Sequence, residues 1–98
     1  MSDHPTAESL KEFLNRAVVL DTEGPILYLG ILREVRSDGY WLERVDLRDG
    51  REGHVSKERY ICEAREHGIK PNRTRVFVFA RVVISISALE DVMTEYES

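Results

Sequence analysis

The sequence predicts a mainly β fold: a small five-stranded antiparallel barrel with an N-terminal helix and a helical insertion between the third and fourth strands. Three observations carry the prediction. Arg75 to Leu89 (RVFVFARVVISISAL) is an apolar run too long for one strand in a chain of 98 residues, so it divides into two short strands about a bend at Phe79 to Val82. Ala17 to Leu47 holds three β-rich segments separated by turn residues, which reads as a meander. Between these two groups lies a stretch with a serine cap before it and a glycine after it.

Taken in order, Leu10, Phe13, Leu14 and Ala17 fall at i, i+3, i+4 and i+7, which predicts an amphipathic helix over Pro5 to Arg16 with one apolar stripe on the core. Pro5 suits a first turn, and residues 1–4 are expected to form a flexible N-terminus. Ala17 to Asp21 is a short apolar strand closed by Thr22-Glu23-Gly24-Pro25. Ile26 to Val35 is a longer strand whose interior Gly30 marks a bend or bulge. After the tight turn Ser37-Asp38-Gly39, Tyr40 to Leu47 forms the third strand. Residues 50–73 are the insertion, with a helix at Lys57 to His67 capped by Ser56, ended by Gly68 and buried along Tyr60, Ile61 and Ala64. Residues 90–98 form an acidic tail, in which Val92, Met93 and Tyr96 are placed to dock as one helical turn.

Size and 42% hydrophobic content suit one domain spanning residues 1–98, with a single core. One cysteine, Cys62, excludes an intramolecular disulfide framework and fits a reducing compartment, so a cytoplasmic location is expected. No apolar window reaches the length of a membrane span, and Met1 to Asn15 lacks a signal-like run, so neither insertion nor export is expected. The net charge of −4 is unevenly spread. Residues 44–81 carry 10 basic and 6 acidic side chains and both flanks are acidic, a distribution that fits either a basic face for an anionic partner or a mixed solvated surface.

Few residues carry chemistry. His54, Cys62 and His67 lack any repeated ligand pair, so no metal and no cofactor is expected. Asp46, Asp49 and Glu52 alternate with arginines as a charged surface would, and the chain has neither a phosphate-binding glycine loop nor a nucleophile motif, so it is not expected to be an enzyme. Tyr40 and Trp41, beside a turn, suit either a base-stacking platform or one ring in the core and one on the surface. Arg81 suits either a phosphate contact or an ion pair at a subunit interface, and Lys70, Arg73 and Arg75 either a basic patch or a solvated loop.

This order of elements resembles the Sm-like (LSm) fold, a small open five-stranded antiparallel barrel with an N-terminal helix. The residues are similar to the family's motifs at two places. Val18-Val19-Leu20-Asp21, the turn Thr22-Glu23-Gly24 and the Gly30-Ile31-Leu32 of the second strand follow the first motif; Ala80-Arg81-Val82-Val83-Ile84-Ser85-Ile86 follows the spacing of the second. Residues 8–47 and 74–89 are covered. The resemblance implies a homo-oligomeric ring of roughly five to eight subunits, joined edge to edge through Val76, Phe77, Val78, Val83, Ile84 and Ile86. It also implies single-stranded RNA binding in RNA metabolism. Where the family places an Asp and then an Asn between the second and third strands, this chain has Arg36-Ser37-Asp38-Gly39-Tyr40, and the usual Arg-Gly is Phe79-Ala80. The expected RNA site is therefore a substitute set, Arg36, Asp38, Tyr40, Phe79 and Arg81, in which a ring stacks a base and an arginine meets phosphate. The alternative is an Sm-fold scaffold or protein-interaction module without RNA binding.

Overall fold

The computed structural model describes residues 9–53 and 55–94. It contains one antiparallel sheet of five strands: β1 Ala17–Thr22, β2 Ile26–Val35, β3 Gly39–Asp49, β4 Arg73–Phe79 and β5 Val83–Ala88. The sheet order is β4-β3-β2-β1-β5, so the chain crosses from one edge of the sheet to the other at the bend between β4 and β5. That bend is a 3-10 turn, Ala80–Val82, where the apolar run was expected to divide. One helix, α1 Lys57–His67, lies between β3 and β4 in sequence.

One face of the sheet is buried along its length, and the other is buried over β1 and β2. The first face holds Leu10, Val18, Leu20, Leu32, Tyr40, Leu42, Val45 and Val78, with Phe13, Leu14, Val76, Val83 and Ile86 at its margin. The other face, over β1 and β2, holds Val19, Leu27 and Leu29 against Ile61 and Ala64 of α1 and Leu89. Successive strand residues point to opposite faces, so an unbroken apolar stretch such as Val18-Val19-Leu20 needs cover on both sides. The helix α1 supplies the second cover.

Local chemistry fixes α1. Ser56 Oγ accepts from Arg59 N, and Gly68, at φ 89°, ends the helix in a conformation that a side chain resists. Lys57 then pins the helix to the β1–β2 turn. Its ammonium donates to Asp21 Oδ1 at 2.7 Å, Thr22 O at 2.9 Å and Gly24 O at 2.6 Å, using all three protons. Farther along, the Tyr60 hydroxyl donates to the Asp46 carboxylate, and Asn72 donates to the Leu47 carbonyl at 3.0 Å. Burial first, and then this hydrogen bond, push the Tyr60 phenol up to about 12.

The N-terminal segment departs from expectation. Pro5 to Glu8 lie outside the described residues, and beyond them only Lys11–Phe13 is helical, as a single 3-10 turn. Leu10, Phe13 and Leu14 do reach the core of the first face, but Ala17 already belongs to β1. Pairing with β2 explains the change: Asn15 N donates to Leu32 O at 2.7 Å and Leu32 N donates to Arg16 O at 3.1 Å. Asn15 turns the chain at φ 65°, a conformation asparagine tolerates better than most residues. Sheet pairing overrides the local helical period.

The C-terminal segment departs too. A 3-10 turn forms at Leu89–Asp91, Val92 packs beside α1, and Met93 is exposed rather than docked; Tyr96 lies outside the described residues. In β2 the bend falls where expected, with the pairing to β3 shifting between Leu29 and Ile31 across Gly30, and again between Leu32 and Glu34. A Cβ at Gly30 would lie 3.1 Å from Glu43 O, closer than ordinary contact.

Candidate nucleic-acid interface

Two loops meet at one end of the sheet. The β2–β3 connection closes tightly, with Arg36 N donating to Gly39 O at 2.8 Å, and the β4–β5 turn is tied to it by Ala80 N donating to Asp38 O at 2.9 Å. This pair of backbone bonds brings Arg36, Asp38, Phe79 and Arg81 together, although Asp38 and Ala80 are far apart in sequence. Phe79 is 47% exposed, and the Arg81 guanidinium sits 4.9 Å from its ring centroid. Arg36 is exposed and lies 3.3 Å from Glu34, an ion pair weak enough at a surface to exchange for another anion.

Tyr40 does not join them. It is 2% exposed, packed in the core of the first face between Val35 and Val78, and burial raises its phenol pKa. No face of the ring is open to a base. Its neighbour Trp41 takes the outward position instead, opposite Phe77 on β4 with ring centroids 5.1 Å apart. Phe77 in turn meets Phe79 at 5.3 Å, edge to face. Phe77 lies over Gly39, where a Cβ would come within 2.5 Å of the ring and 2.4 Å of Val78 O; the glycine makes room for the aromatic row.

The residues expected at a subunit interface scatter. Val78 is buried in the chain's own core, while Val76, Val83 and Ile86 pack at its margin. Phe77 belongs to the outward aromatic row. Ile84 stands apart: it is the extra residue of a bulge, unpaired where β5 slips against β1, and 61% exposed. Val82, outside the expected interface set, is 41% exposed beside it. Trp41 and Phe77 were likewise not placed in the RNA set. The alternation Arg75, Phe77, Phe79 was the available signal, since period two puts those three on one face.

Elsewhere the polar groups serve packing. Asp46, 4% exposed, accepts from Tyr60 and Asn72 beside a cavity of about 90 Å³, far smaller than a typical ligand pocket. Among the described residues no three of His, Cys, Asp or Glu converge as a metal site would require, and no helix is long and apolar enough to cross a membrane. The chain matches no protein-family model and no curated protein.

Proposed function

We propose that this chain is a subunit of an Sm-like ring that binds single-stranded RNA at the paired β2–β3 and β4–β5 loops. The observation that carries the reading is the bond from Ala80 N to Asp38 O, which joins the loop of Arg36 to the turn where Arg81 lies on the exposed Phe79 ring. Stacking tolerates any base and arginine meets phosphate, so the set supplies both parts of single-strand binding without an asparagine. Assembly into a ring is supported by the open sheet. β4 and β5 are its two edges, and Val82 and Ile84 project at the second of them. Edges of this kind are an aggregation hazard unless another strand covers them, and head-to-tail pairing that closes into a ring removes them all.

The test is fluorescence anisotropy of labelled oligouridylate and oligoadenylate with protein stripped of copurifying nucleic acid. Binding should weaken as salt rises, and Arg36→Ala with Arg81→Ala should lower the affinity by about tenfold or more and flatten the salt dependence. Absence of salt-dependent binding to both oligomers defeats the RNA reading and leaves the scaffold alternative.

A further inference from the structure

The aromatic row does not stop at the loops. Along the outward face of β4, Arg75, Phe77 and Phe79 alternate with Val76 and Val78, which face the core, and their partners on β3 are Glu43, Trp41 and Gly39. The Arg75 guanidinium lies 3.9 Å from the Trp41 ring centroid, so an arginine covers a ring at each end of the row. Beyond Arg75, at the start of the strand, Arg44 and Arg73 line a shallow cavity of about 290 Å³. Arg44 is held there at φ 52°, a backbone conformation costly for a non-glycine residue.

We propose that this face is a continuation of the RNA-binding surface, on which a single strand runs from the paired loops across Phe79, Phe77 and Trp41 to the arginines Arg75, Arg73 and Arg44. The inference rests on the loop reading for its class of ligand and extends it to a track of about 20 Å, the length of β4. Charge selects the occupant. Among the described residues Arg44, Arg73, Arg75 and Arg81 have no carboxylate within ion-pair distance, whereas Glu43, on the β3 strand of this face, is engaged by Arg33; Glu34 and Asp38 lie at the loop end of the row, where Arg36 pairs with Glu34. The row therefore offers four arginines and three aromatic rings to an anionic, ring-bearing chain. Each guanidinium lying on a ring holds the place of a base: stacking by a base outweighs an exposed cation–π contact, and the displaced arginine is freed for phosphate. An acidic peptide would satisfy the arginines but give the rings nothing to stack.

Trp41 is the only tryptophan, so its emission reports on this face directly. The full chain is titrated with short oligouridylate and oligoadenylate while Trp41 emission and the anisotropy of the labelled strand are followed together. The expected result is quenching of Trp41 with the same half-saturation as the anisotropy change. Phe77→Ala should weaken binding by about tenfold. Arg75→Ala, at an exposed position that leaves the core intact, should lower the slope of log affinity against log salt by about 0.7, the loss of one phosphate contact. Binding by anisotropy with unchanged Trp41 emission and a wild-type salt slope for Arg75→Ala overturns the track and spares the loop site. No binding at all overturns both. Trp41 emission that responds to protein concentration or to an acidic peptide, but not to RNA, assigns the face to a protein partner and overturns the proposal.

Discussion

Tyr60 and Asp46 show how one side-chain pair holds the helix α1 to the sheet. Asp46 is almost wholly buried and accepts a hydrogen bond from the phenol, so removing the hydroxyl leaves a carboxylate short of a donor. Tyr60→Phe should cost roughly 1–3 kcal/mol near neutral pH, read from urea midpoints. The same pair sets a pH dependence. Because the folded protein raises the phenol from 10.0 to about 12, its contribution is complete below the unfolded value and disappears as pH rises through the folded one. The stability gap between wild type and Tyr60→Phe should thus close between about pH 10 and pH 12; a gap that stays constant across that window would refute the linkage.

The helix α1 is amphipathic by a narrow margin, so its ends decide whether it forms. Ser56 satisfies one of the first free amides, and Lys57 anchors the first turn to three oxygens of the β1–β2 turn. Ser56→Ala should destabilise the protein by about 1 kcal/mol. Lys57→Met should cost more, roughly 1–3 kcal/mol, because the carbonyls of Thr22 and Gly24 and the Asp21 carboxylate then lose a charged donor together. Equal losses from the two variants, by thermal or urea unfolding, would mean that the ammonium contributes no more than the cap. The strands needed less help. Turn residues at Thr22 to Pro25 and Ser37 to Gly39 fix the ends of β1, β2 and β3 within two residues of where the sequence puts them.

For the molecule as a whole, the open sheet is the main liability. With a radius of gyration of 13.0 Å the chain is as compact as a domain of its size should be, yet its two edge strands are not paired with each other. If a neighbouring copy covers them, the solution mass by light scattering should be a multiple of 11.3 kDa, and Ile84→Asp should reduce it to that of one chain. Ile84 is suited to this test because it sits in a bulge and contributes nothing to either core, so an aspartate there costs an interface and not the fold. Wild-type protein that already runs as one chain would end the ring proposal while leaving the strand order untouched.

Most elements were legible because their signals are local. β2 and α1 begin and end where the turn glycines, the serine cap and the terminal glycine put them, and the bend between β4 and β5 falls within the apolar run that is too long for one strand. The faces were less legible. The alternation of Tyr40 and Trp41 is the same read in either phase, and only the pairing of Tyr40 with Val35 and Val78 turns it into the core and Trp41 outward. Two register shifts in β2 break the count that would have carried the phase along the sheet, since one extra residue moves every following side chain to the other face. The N-terminal segment failed for a related reason: a helical period over Leu10 to Ala17 competes with pairing to Leu32, a partner the local sequence does not contain. The sequence by itself determined the five strands, the helix α1 with its caps, and their order, because these depend on residues a few positions apart. Tertiary structure alone decided which rings are buried, which arginines remain without a carboxylate and which loops meet, because each depends on a partner brought from a distant strand.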